Sequence, residues 1–200
     1  MCKSFVILIL AGLLAGCGSL PPWNPVPTGQ SVVYGQIQDS SRAISFTAFS
    51  NNPGIVAISV ESFVGGFTPR YTMVADQPAR KSMRDAIAKF QEWSKLATDN
   101  SVEITREIST VTLTQMFRRG EGWEAEGSRD VTFVFNSRLG QPDDSRISLD
   151  LRTSAFFYGV DEIVLTGQQA ADFDRYLGDE ENGAGWRQAK KKQDTLDLFK

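Results

Sequence analysis

RYTMVADQPARKSMRDAIAKFQEWSKLA, residues 70–97, is the stretch on which the fold turns. Its first five residues, Arg70 to Val74, form a short run ending in apolar side chains and read as a strand. Asp76 then stands where a helix N-cap belongs, with Pro78 in the first turn, where its missing N–H costs nothing. Met83, Ala86, Ile87, Phe90 and Ala97 recur at helical spacing on one face, while Arg80, Arg84, Asp85, Glu92 and Lys95 are assigned to the other. The spacing predicts a strand followed at once by an amphipathic helix to about Leu96.

Upstream, apolar runs at 31–37, 43–49 and 55–63 are separated by Asp39-Ser40-Ser41, Asn51-Asn52-Pro53-Gly54 and Gly65-Gly66. Short runs between such turn residues indicate an antiparallel meander. Downstream the plan recurs, with predicted strands at 102–117, 130–136, 146–157 and 161–165. Ile147, Leu149 and Leu151 alternate there with Ser148, Asp150 and Arg152, one face dry and one wet. Thr166 and Gln169 have the spacing of a capping box, and Ala170, Phe173 and Leu177 form a short stripe ending at Gly178. A shift of 90 residues lays Asp76 on Thr166, Met83 on Phe173 and Ile87 on Leu177. The expectation is therefore an α+β protein, mainly antiparallel sheet with two amphipathic helices, arranged as two tandem ββββα units over 31–100 and 101–178. In topology this resembles the Whirly and PUR folds, whose curved sheets hold single-stranded nucleic acid. Their sheets are basic and this chain is acidic, so nucleic acid is not an expected partner.

The N-terminus carries a different signal. Lys3 supplies one positive charge ahead of an apolar run from Phe5 to Leu14, the length of a signal-peptide core and too short for the roughly 20 residues of a membrane span. Leu14-Ala15-Gly16-Cys17 follows, and it resembles the lipobox of bacterial lipoproteins. The resemblance implies a signal peptide over 1–16, removed before Cys17, and a thiol that carries lipid. It also implies localisation to the bacterial cell envelope. Gly18, standing where an aspartate favours inner-membrane retention, points to the outer membrane facing the periplasm. Pro21, Pro22, Pro25 and Pro27 make 17–30 a Pro-rich tether in this reading, and 179–200 a polar C-terminal tail.

Composition narrows the chemistry. Residues 1–16 hold one Lys and no acid, so the remainder carries 20 basic and 24 acidic side chains, about −4 against −3 for the whole chain. An acidic surface repels nucleic acid and anionic lipid. Cys2 and Cys17 are the two cysteines, so nothing after Cys17 can form a disulfide, and stability must come from packing. The chain has no histidine, which removes Ser-His-Asp and Cys-His catalysis and the usual zinc sites. No motif calls for a cofactor or a metal.

Acids cluster at Glu121, Glu124 and Glu126, at Asp143 and Asp144, and from Asp179 to Glu181, all placed in turns by the pattern. Paired carboxylates could serve glycan hydrolysis or Ca²⁺ binding, but none has EF-hand spacing and a solvated loop is the better reading of each cluster. Phe156, Phe157 and Tyr158 are consecutive, so one strand face cannot hold them all. Trp123 and Trp186 lie in Gly-rich polar stretches. These five aromatics are the candidate partner contacts. The expected function is a non-enzymatic binding or accessory module for an envelope protein or other envelope component. A His-independent carboxylate enzyme acting on envelope glycans and a structural spacer are the alternatives.

Overall fold

The computed structural model describes residues 25–37, 40–49, 52–61, 70–119, 122–138, 145–151 and 162–178, with 187, 191, 194 and 195. Four strands come first: β1 (Pro25–Ile37), β2 (Ser40–Phe49), β3 (Asn52–Glu61) and β4 (Arg70–Ala75). They lead into helix α1 (Gln77–Asn100). Four more follow, β5 (Ile104–Arg119), β6 (Gly122–Ser137), β7 (Arg146–Asp150) and β8 (Glu162–Thr166), before helix α2 (Gly167–Leu177). The class is α+β and the order ββββα-ββββα. All eight strands belong to one open antiparallel sheet in chain order, joined where β4 meets β5 at Thr72–Met116, Met73–Gln115 and Val74–Thr114.

Both helix starts follow from their caps. Asp76 Oδ1 accepts from Ala79 N at 2.9 Å. At α2 the capping box is reciprocal: Gln169 N donates to Thr166 Oγ1 at 3.2 Å and Thr166 N to Gln169 Oε1 at 2.8 Å. The same Gln169 amide donates to Val33 O at 2.6 Å, tying the start of α2 to the edge of β1.

The stripes on both helices pack with the inward side chains of the sheet into one core, including Ile44, Phe46, Ile58, Met73, Val131, Phe133, Phe135, Ile147 and Leu165. Phe46 meets Phe173 edge-on at 5.5 Å, and Phe90 lies 5.9 Å from Phe135. A smaller cluster of Phe49, Ala57, Val74 and Met116 lies apart from it, packed with Ile55.

Ser40 and Ser41, read as a turn, open β2, and α1 runs on to Asn100, past the expected Leu96; four further details differ from the sequence pattern. β1 starts at Pro25, inside the stretch read as tether, with Pro25 opposite Phe49 and Pro27 opposite Thr47. β1 is an outer strand, where proline is tolerated because the open side needs no N–H. Asn52, Pro53 and Gly54, read as a turn, open β3. β6 begins at Gly122, eight residues before the predicted strand, so Trp123, Glu124 and Glu126 sit in a strand and not a turn. The long hairpin keeps its ladder there through a bulge between Gln115–Gly127 and Met116–Ala125, with Gly127 at φ 154°, a conformation side chains disfavour.

The fourth correction concerns Arg80. It is buried at 4% exposure on the core side of α1, not on the wet side. Its Nη1 donates to Leu177 O at 3.1 Å and its Nη2 to Gly54 O at 3.3 Å.

Candidate functional site

Among the described residues the exposed large apolar side chains are Val33 and Val164 on the outer strands β1 and β8, and Leu96, Val102 and Ile104 around the end of α1; the second group borders a groove whose geometry starts from how α1 ends. Ser101 takes the left-handed conformation at φ 52°. Ser101 N then reaches Thr98 O at 3.2 Å and Val102 N reaches Ala97 O at 3.0 Å, which satisfies the last carbonyls and turns the chain back along the helix. Ser137 of β6 fixes the reversal from across the hairpin. Its hydroxyl donates to Val102 O at 2.9 Å and accepts from Ile104 N at 3.1 Å.

Val102 and Ile104 are thereby laid beside the last turns of the helix, and with Leu96 they are 48%, 41% and 50% exposed. They border a groove of about 280 Å³ whose floor is Trp93, Ala97 and Phe135, with Asn100 and Arg106 completing the lining. Trp93 stands edge-on to Phe135 at 5.8 Å. Two cations flank the indole, Lys89 Nζ at 5.5 Å and the Arg106 guanidinium at 5.4 Å from its centroid. Such contacts hold a cation against an aromatic face while leaving its outer side to solvent. Lys89 is also paired with Glu92 at 2.9 Å, so the groove is apolar below and carries Arg106 as the cation of its rim. It can bind an aliphatic group beside an anion, and its described lining brings no nucleophile or acid–base pair.

Ser137→Ala removes both hydrogen bonds that pin the reversal. It is expected to lower stability by about 2 kcal/mol, because Val102 O and Ile104 N are left without a partner at once. Urea unfolding beside the parent checks this; an unchanged midpoint would mean that Ser137 does not hold the groove.

Two other surfaces carry polar groups. A cavity of about 750 Å³ runs between α1 and α2, lined in part by Arg80, Lys81, Arg84, Asp85 and Asp174. Its charges are engaged with one another: Arg84 Nε meets Asp174 Oδ1 at 2.9 Å and Lys81 Nζ meets Asp85 Oδ2 at 2.6 Å. Arg84–Asp174 and the Arg80–Leu177 hydrogen bond brace the two helices, while Lys81–Asp85 lies within α1. On the outward face of the second half, Thr110 bonds Thr132 at 2.9 Å, Thr112 bonds Asp130 at 2.6 Å and Thr105 bonds Asn136 at 2.9 Å. These hydroxyls and amides satisfy one another across strands, as a solvated sheet face does.

Of the five aromatics singled out from sequence, Phe156, Phe157, Tyr158 and Trp186 lie outside the described residues. Trp123 pairs with Arg118 in the β5–β6 ladder; its side chain is also outside them. Glu121, Asp143, Asp144 and Asp179 to Glu181 are outside as well, and Glu124 is exposed on β6. Among the described residues no group of three or more His, Cys, Asp and Glu is placed to hold a metal ion. The groove residues were missed because Leu96, Val102 and Ile104 flank a helix end and share no single periodicity. Trp93, three residues beyond Phe90 on the core stripe, was the signal available.

No protein-family model matches the chain, and neither does any curated protein or solved structure.

Proposed function

We propose that this chain is a non-enzymatic binding module of the bacterial cell envelope, held on a membrane by lipid on Cys17 and engaging a protein partner at the groove between the end of α1 and the start of β5. The observation that carries the binding assignment is the exposure of Leu96, Val102 and Ile104 together around Trp93, beside a groove. Contiguous exposed apolar groups lower solubility, and their retention beside a shaped groove is the mark of a contact surface. An aromatic floor with a cationic rim has the make-up of an interface centre. The anchor rests on Leu14-Ala15-Gly16-Cys17 after a short apolar run. No described helix is long and apolar enough to cross a membrane. Phe156, Phe157, Tyr158, Trp123 and Trp186 remain the second candidate contact region. The chain has no histidine, which argues against Ser-His-Asp and Cys-His catalysis.

Cys17→Ser tests the anchor. The parent chain is expected to sediment with membranes, with a mature N-terminus at acylated Cys17 by mass spectrometry, and the variant to lose both lipid and membrane association. A variant that still sediments fully would sink the assignment. Photo-crosslinking in cells from positions 96 and 104 tests the groove: a discrete protein adduct that Arg106→Glu abolishes is the expected result, and none from either position would count against it.

A further inference from the structure

The groove adjoins an open sheet edge. β4 pairs with β5 only from Thr114 to Met116 before the chain leaves β4 for α1. From Ile104 onward β5 is paired on its other side with β6, and among the described residues no strand lies along its near side up to Thr112. Residues 101–107 are all exposed. Ile104 N points toward β6, where it meets Ser137 Oγ. Because backbone groups alternate in direction along a strand, the N–H and C=O groups of Thr105 and Glu107 point to the open side. A bulge between Glu107 and Ser109 ends the straight part of this edge.

Natural proteins guard such edges against indiscriminate pairing with charged side chains, proline, bulges or a cover. Residues 103–108 read Glu-Ile-Thr-Arg-Glu-Ile, with no proline and with three charges, Glu103, Arg106 and Glu107, so the edge admits only a strand whose charges match. The two faces of the edge carry opposite charge. On the groove side is Arg106 against Trp93; Lys89, against the same ring, is paired with Glu92 at 2.9 Å. On the outward side is Glu107, whose Oε1 is 3.4 Å from Thr110 Oγ1, with exposed Glu103 two residues before Thr105.

Resting on the assignment of this groove to a protein partner, we infer that β5 takes a short extended segment of that partner as an added strand. Its groove-side residues are aliphatic and acidic and its outward residues basic. Backbone pairing at Thr105 and Glu107 supplies affinity, and the two charged faces set which segment fits. A second copy of the chain is disfavoured as the occupant. Antiparallel self-pairing centred on Thr105 would set Glu103 of each copy against Glu107 of the other, and like charges directly opposite repel.

The test uses the purified full chain and fluorescein-labelled peptides of about eight residues. In one, lysine alternates with leucine and aspartate; a second exchanges the charges of the two faces; a third is the first with alternate amides N-methylated. Anisotropy is expected to show binding of the first and at least about ten-fold weaker binding of the other two. Arg106→Glu combined with Glu107→Lys, checked for an unchanged melt, is expected to reverse the preference between the charge patterns. Equal binding of both patterns, or binding indifferent to N-methylation, overturns the inference. So does a concentration-dependent dimer lost on Arg106→Glu, which would make the occupant a second copy. Flotation with phosphatidylglycerol vesicles that requires Leu96 and Ile104, without peptide binding, would make it lipid and overturn the inference too. Protein crosslinks at 96 and 104 with no peptide binding would overturn strand addition and leave the groove assignment standing; loss of both would end both.

Discussion

Arg80→Ala is expected to lower the unfolding free energy by about 3 kcal/mol, the combined loss of charge-assisted hydrogen bonds and of a buried aliphatic stem. The guanidinium holds the last carbonyl of α2 at Leu177 and the carbonyl of Gly54 at the start of β3. One side chain on α1 therefore ties both halves of the chain together, and its removal leaves two acceptors to be resolvated and a gap beneath them. The position favours a cation, since a helix C-terminus carries partial negative charge. Arg80→Met separates the contributions, because it keeps most of the apolar stem and none of the donors. Its expected place in urea unfolding is between parent and alanine variant. Methionine as stable as arginine would mean that the hydrogen bonds contribute nothing net. Methionine no better than alanine would mean that the stem does not pack.

Arg80 also shows why part of the fold was readable and part was not. The helix starts were legible because caps are local: Asp76 and Thr166 act within three residues of themselves. The stripes were legible because burial follows helical spacing, and Met83, Ile87, Phe90, Ala170, Phe173 and Leu177 are all core. Arg80 lies three residues before Met83 and seven before Ile87, on the same stripe, and the 90-residue shift sets it on buried Ala170. Its charge concealed what its position declared, because its partners on β3 and α2 lie far away in sequence. Pro25 and Pro27 misled in the opposite way. Whether proline breaks a ladder depends on which side of the strand is open, a property of the sheet and not of the residue. The 122–129 stretch reads as polar and glycine-rich, yet pairing with an equally long β5 makes it strand. The groove was least legible, since its shape depends on Ser101 adopting a left-handed turn and on Ser137, 35 residues beyond Val102, holding that turn in place.

Phe135→Ala is expected to cost about 3 to 5 kcal/mol, the range for deleting a buried aromatic ring. Phe135 is 1% exposed and sits between Phe90 and Trp93, 5.9 and 5.8 Å away centre to centre. Its loss opens a void beneath the indole and removes two ring contacts, each worth about 0.5 to 1.5 kcal/mol beyond the area they bury. Phe135→Leu refills most of the space and is expected to cost far less, about 1 kcal/mol. The same ring is the floor of the groove, so Phe135→Ala should also let Trp93 sink and draw Lys89 and Arg106 from their places at the rim. Leu96→Asp makes the opposite change. It alters a side chain 50% exposed and is expected to shift stability by less than about 0.5 kcal/mol while abolishing partner crosslinks at the groove. Thermal melts and crosslinking of both variants separate the two roles. If Leu96→Asp destabilised the protein as much as Phe135→Ala, the apolar rim would belong to the core, and its exposure would be no sign of a partner.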